Sequence, residues 1–155
     1  MVDRLTPEQR RLNMRRVRAK DSTPETIVRG LLHRAGLRFR LHCVNLPGRP
    51  DIALPRHRVA IFVHGCFWHG HDCSLFRMPM TRPEFWSAKI EGNRRRDLAA
   101  IVGLAEIGWR SLWVWECALR GKHRLPAAQL SERMAEFIRD DAGFEDIGEW
   151  EATGT

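Results

Sequence analysis

Two groups of side chains in this sequence have the types and spacing to do chemistry. Cys66-x4-His71-x-Cys73 places three soft or borderline metal ligands within eight residues. Cys117 is the natural fourth, which leaves Cys43 over. Three thiolates and an imidazole make a closed tetrahedral set suited to a structural Zn²⁺. The alternative is that Cys66 and Cys117 are small buried hydrophobes. The irregular stretch 65–82 favours the metal, because a long ordered loop without a core of its own needs a staple.

The second group centres on Asp51, which follows Pro50 at the start of a strand. The next strand ends at Val63-His64, and His69 follows five residues later. A carboxylate on one strand and groups from the end of its hairpin partner can hold Mg²⁺ near a phosphodiester. There the ion stabilises charge in the transition state and helps activate water. A histidine close by can act as general base, its unperturbed pKa lying near ~6.5. On the residues alone, a strand-end aspartate is the commoner reading of Asp51. His64 and His69 read equally as polar loop histidines or as rivals of His71 for the metal.

Charge indicates what such a site would act on. The 155 residues carry a formal charge of +7 and a pI near 10.2. Residues 1–20 hold seven Arg/Lys against two acids, and residues 131–155 hold two against eight. A basic arm and body with an acidic, flexible tail (141–155) point to a polyanionic partner, nucleic acid first. A generic basic protein is the bland alternative. Hydrophobic residues at 43% and charged residues at 29% are globular proportions and exclude wholesale disorder. No apolar run reaches the length of a membrane span, and MVDRLTPEQRR lacks an apolar signal core. The expected setting is a cytoplasmic, reducing one with no membrane partner, where cysteines are ligands or thiols before they are disulfides.

The elements that must position these groups follow from periodicity. Thr6-Pro7-Glu8-Gln9 is a capping box opening an arginine-rich helix with only Leu12, Met14 and Val17 as apolar residues. That is too little to dock on a core, so residues 1–20 are expected to be an arm that orders against a partner. A helix opens at Thr23-Pro24-Glu25 with an apolar stripe from Ile27 to Ala35 and stops at Gly36. Leu37, Phe39 and Leu41 alternate as a half-buried strand. Asp51 to Leu54 is a short strand, and Val59 to Val63 a buried one. Helix is expected from about Pro83 to Ile107 with Gly92 as a weak point, strand from Leu112 to Trp115, and a last helix from Pro126. The order predicts an α/β domain, a mixed sheet flanked by helices, in a single unit spanning 1–155.

Four motifs carry a resemblance. Leu46-Pro47-Gly48-Arg49-Pro50-Asp51, Phe62-Val63-His64-Gly65-Cys66-Phe67-Trp68-His69, Thr81-Arg82-Pro83-Glu84-Phe85-Trp86 and Trp113-Val114-Trp115-Glu116-Cys117-Ala118-Leu119-Arg120-Gly121 resemble the very short patch repair DNA mismatch endonuclease family, over about residues 10–140. The resemblance implies a restriction-endonuclease-like fold. It implies nicking of double-stranded DNA 5′ to the thymine of a T:G mismatch left by 5-methylcytosine deamination, with repair proteins as further partners and a monomer as the working unit. It makes Asp51 the Mg²⁺ carboxylate, with a second ligand from the backbone carbonyl of Val63, where the family pattern has Thr. His69 becomes the water-activating histidine, His64 a second active-site histidine, and Glu25 an acidic assistant. Cys66, His71, Cys73 and Cys117 match the zinc ligands, while Gly70 departs from a histidine-rich run. Phe67, Trp68 and Trp86 resemble an aromatic wedge that replaces base stacking beside the mismatch. Met14 is expected on the minor-groove side, and Lys89 and Asn93 as readers of base edges. The plainer reading of Trp86 is that it packs on the core beneath its helix.

Overall fold

The computed structural model describes residues 22–150. The basic arm, its cap at 6–9 and Met14 lie outside the described residues. Helix α1 (Thr23–Arg34) starts where Ser22 caps it, the serine hydroxyl accepting from the Glu25 N–H at 3.4 Å, with Pro24 in the first turn. β1 (Arg40–Leu41), β2 (Ile52–Leu54) and β3 (Val59–His64) form an antiparallel meander. Helix α2 (Pro83–Glu106) then crosses to β4 (Arg110–Trp115), which lies parallel to β3. A short 3-10 turn (Glu116–Ala118) and α3 (Ala127–Arg139) lead to β5 (Phe144–Ile147), parallel to β4. The sheet order is β1-β2-β3-β4-β5.

Strand alternation sorts the core into two faces. Ile52, Leu54, Val59, Ile61, Leu112 and Val114 pack against the apolar stripes of α1 and α3. Ala60 and Phe62 pack against Ala100 and Leu104 of α2. The mixed sheet flanked by helices is the expected architecture, and α2 runs unbroken through Gly92. Among the described residues no helix is long and apolar enough to cross a membrane.

Two expectations need correction. The strand read over 37–41 contracts to Arg40–Leu41. Gly36 turns the chain at φ +77°, and the Leu37 N–H closes back onto Leu32 O at 3.1 Å, so Leu37 and Phe39 reach the core from a loop. The segment read as a flexible acidic tail contributes β5 at residues 144–147, with Ile147 fully buried. Side-chain bonds hold it in place. Trp115 Nε1 donates to Asp146 Oδ2 at 3.0 Å, and the Arg110 guanidinium grips the carbonyls of Phe137 and Ile138 at the end of α3, at 2.7 and 2.9 Å.

One close approach sets up the site. Gly48 adopts φ +77°, and a Cβ there would come within 2.4 Å of Ala100 Cβ. Only glycine lets the loop before β2 lie directly on α2, which draws Asp51 and the middle of α2 into one neighbourhood.

Candidate active site

A cleft of about 780 Å³ opens at the end of the sheet where β2 begins and β3 finishes. Glu25, Asp51, Val63, His64 and His69 all line it, so the structure gathers the five residues that sequence reasoning assigned to hydrolysis. Asp51 Oδ2 accepts from the Val63 N–H at 2.7 Å. Burial pushes the Asp51 carboxyl up from 3.8 to about 7. The Val63 hydrogen bond opposes the rise, and the neighbouring Glu25 carboxylate adds to it. Glu25 is buried, and its Oε2 meets Arg29 Nη2 at 2.9 Å and His42 Nε2 at 3.2 Å. His42 also donates its backbone N–H to Asp51 O at 3.1 Å, which ties the two carboxylate-bearing segments together.

The histidines stack side by side, His64 and His69 ring centroids 4.0 Å apart. His69 Nδ1 is hydrogen-bonded to Asp97 Oδ2. A carboxylate on Nδ1 favours the tautomer that keeps its lone pair on Nε2. His64 is 5% exposed, and burial holds its pKa well below 6.5, with the charges of His69 and His71 adding to the effect. It is a neutral imidazole whose Nε2 has no hydrogen-bond partner among the described residues. His64, His69 and Asp97 lie within 4.8 Å of one another, a set that could itself hold a cation.

Sequence reasoning missed Asp97, and a signal for it was present. Trp86, Ile90, Ala100 and Leu104 are the buried residues of α2. With Asn93 and Asp97 they recur every three or four residues on one stripe. A carboxylate on an otherwise inward-facing stripe marks a partner waiting across the core. Arg29 and His42 carried no comparable sign.

Interleaved with these histidines on the same stretch is a cluster of different chemistry. Cys66, His71, Cys73 and Cys117 place three sulfurs and an imidazole nitrogen within 4.8 Å of one another, a set that could hold a metal ion. All four cysteines of the chain are free thiols. The Cys117 N–H donates to Cys66 Sγ at 3.3 Å, and the Glu149 N–H to Cys117 Sγ at 3.2 Å. Backbone donors aimed at sulfur suit thiolates. The shared hydrogen bond with Cys117, then burial, push the Cys66 thiol far up, and burial raises Cys73. A divalent cation at their centre is what deprotonates such a set, so the residues fit a metal. Gly70, at φ +62°, lies so close to α2 that a Cβ would meet Ile90 Cγ2 at 2.6 Å. Its glycine therefore serves a close approach.

The expected wedge residues also meet. Phe67 contacts Trp68 and Trp86 edge-on at 5.1 and 5.4 Å, and Trp68 lies 6.0 Å from Trp86. Trp86 is nearly buried at 8% exposure, while its neighbour Phe85 stands out at 43%. Lys89 Nζ sits 5.7 Å from the Trp68 ring. The Asn93 amide is committed within the protein, donating to Trp68 O at 2.8 Å and accepting from Arg96. It anchors the loop that carries the aromatics.

Residues 2–75 match the family model for DNA mismatch endonuclease Vsr. A type II nicking enzyme of Xanthomonas oryzae, V.XorIIP, is 54% identical over 119 residues, 77% of this chain and 88% of the relative. The DNA mismatch endonuclease Vsr of Escherichia coli is 47% identical over 138 residues, 89% of this chain and 88% of the relative. A type II nicking enzyme of Neisseria meningitidis, V.NmeAIP, is 35% identical over 140 residues, covering 90% and 96%.

Proposed function

The chain belongs to the DNA mismatch endonuclease Vsr family, and on that premise we propose that it nicks one strand of DNA, 5′ to the thymine of a T:G mismatch left by deamination of 5-methylcytosine. The nick starts very short patch repair. The observation that carries this reading is the His69–Asp97 pair in the same cleft as half-buried Asp51, beside the Phe67, Trp68 and Trp86 rings. The domain scaffold is of the restriction-endonuclease-like type.

Asp51 and the Val63 carbonyl would hold Mg²⁺, whose charge, when bound, neutralises the phosphoryl oxygens and acidifies water. The donor set fits: Asp51 is a half-buried carboxylate, raised to about 7 by desolvation with the Glu25 charge adding to the rise, that a cation would favour in its ionised form. His69 takes the proton of the attacking water on Nε2, and Asp97 stabilises the imidazolium that results. The phosphodiester bond opposite the entering oxygen breaks. His64, kept neutral, offers a hydrogen bond to phosphate or water without adding charge. Glu25, anchored by Arg29 and His42, assists Asp51 through hydrogen bonds or water. Cys66, His71, Cys73 and Cys117 would hold a structural Zn²⁺.

Phe67, Trp68 and Trp86 would take the place of stacked bases at the mismatch, with Met14 opposite them from the minor-groove side. Lys89 would read a base edge. Asn93, given its bonds to Trp68 and Arg96, would read one only by exchanging them. The reading includes a monomer working in the cytoplasm on nucleoid DNA, with repair proteins following.

A nicking assay with Mg²⁺ tests it, over T:G duplexes with varied neighbouring bases against fully paired controls. One nick per T:G duplex, on the thymine strand, supports the reading. Double-strand cleavage of paired DNA would make the protein a restriction-type nuclease, and binding without cleavage would make it a DNA-binding module.

A further inference from the structure

The two side-chain clusters share one wall, Trp115 at the end of β4, which is 5% exposed. Its indole stacks on the His71 ring, centroids 4.0 Å apart and planes within 7°. It packs with Cys66 and Cys117. On the other side it meets His64 at 5.1 Å and His69 at 6.1 Å. Trp115 Nε1 is held by Asp146 of β5, so the plate cannot turn freely. His64 has nothing equivalent. Its Nε2 lacks a hydrogen-bond partner among the described residues. Its ring is boxed by Phe62, His69, Trp113 and Trp115 at 5.8, 4.0, 4.9 and 5.1 Å. Ring packing therefore sets where that imidazole points.

We infer that Trp115 is a positioning residue for the reaction: it holds His64, and through it His69, in register with the Cys/His cluster. The metal centre thereby sets the geometry of the cleft as well as the fold of the loop. Closely packed interiors pass displacements on rather than absorbing them, and a ring stacked on a metal ligand moves with it. The inference rests on His64 and His69 being the hydrolytic histidines, as proposed above.

Two variants and one metal exchange test it. Trp115→Leu removes the plate, and Trp115→Phe keeps a smaller ring without the Asp146 bond. The expected result is roughly a 10²-fold loss of kcat on a T:G duplex for Trp115→Leu, the scale for misplacing a reacting group by about 1 Å. Trp115→Phe is expected to recover part of that loss. Metal content and KM should stay as in the parent. Exchanging Zn²⁺ for the larger Cd²⁺ perturbs the cluster while keeping it assembled. In the parent protein this should shift the ring NMR signals of His64 and His69 and leave those of His57, on the far turn between β2 and β3, in place. In the variants the shift should shrink. Parental kcat in both variants would overturn the inference, and so would a cadmium shift of equal size in Trp115→Phe. If Trp115→Leu does not fold, Trp115→Phe decides alone. Absence of T:G nicking by the parent would sink the functional reading, while the cadmium shifts would still score the coupling.

Discussion

The stretch 64–73 supplies side chains to two clusters that face each other across one indole, and they are opposites in how far their bonding is spent. The Cys/His cluster is closed: two buried cysteines, backbone N–H donors aimed at sulfur, and the 144–150 segment strapped over it. Glu149 bonds the Ser74 backbone at 3.0 Å and its hydroxyl as well, so that strap ties down the loop. The cleft corner is left unfinished: a His64 Nε2 without a partner among the described residues, a carboxyl at about 7, and an open cleft. Unspent bonding capacity is costly to a fold. A closed cluster next door is what lets the chain keep it at the site of chemistry.

The comparison predicts that damage on the open side costs rate and damage on the closed side costs structure. Asp51→Asn should abolish nicking, and His69→Ala should lower it by at least ~10²–10⁴-fold. Both should bind a mismatched duplex nearly as the parent does, measured by gel shift beside the nicking rate. Turnover at the parental rate in either would break the assignment of the cleft. Cys117→Ala should do the reverse of a clean rate effect: bound metal falls from one ion per chain toward none by elemental analysis, and residues 65–82 become sensitive to protease. An intact, protease-resistant loop would show that the closed cluster is mere packing.

Smaller effects sharpen the picture. Asp97→Asn keeps the size of the partner but loses its charge, so His69 loses both its tautomer control and the stabilisation of its imidazolium. Nicking should fall by at least ~10-fold, with thermal stability close to the parent's. The smallest effect concerns metal-free protein. Asp51 holds its proton more tightly folded, near 7, than at its ordinary 3.8. Its contribution to stability is therefore best below about pH 4 and is lost as pH rises toward 7. Asp51→Asn has no such loss. It should be more stable than the parent at pH 8 by on the order of 1–3 kcal/mol, and equal to it near pH 4. Urea midpoints at the two pH values check this, and added Mg²⁺ should narrow the gap by favouring the ionised carboxylate.

What the sequence made legible follows the physics of short range. Apolar stripes, caps and Gly stops located the helices, and short apolar runs between turn signals located β2, β3 and β4 close to their observed spans. The ligand set of the Cys/His cluster was readable because soft ligands in close spacing have few other uses. Asp97 was missed although it falls on the buried stripe of α2, because the run Arg94-Arg95-Arg96-Asp97 masks that periodicity and only the crossing of α2 over the sheet brings its carboxylate to His69. β5 was hidden for a similar reason. Phe144-Glu145-Asp146-Ile147 has two apolar residues, and its strand character comes from parallel pairing with β4, a contact more than thirty residues away in sequence.

The sheet order repeats the order of the strands along the chain, and this has a consequence for synthesis. On a ribosome α1 and the β1–β3 meander, with Asp51 and His64, emerge first and His69 follows five residues later, since domains fold from the amino end as they appear. Asp97 follows from α2, Cys117 arrives after β4, and the strap over the sulfurs comes last of all. A half-made chain therefore carries Asp51, His64 and His69 before Asp97 and Cys117 have been added. Under the proposed function, a nascent chain would therefore stay inactive until β5 pairs with β4 beside the Cys/His cluster.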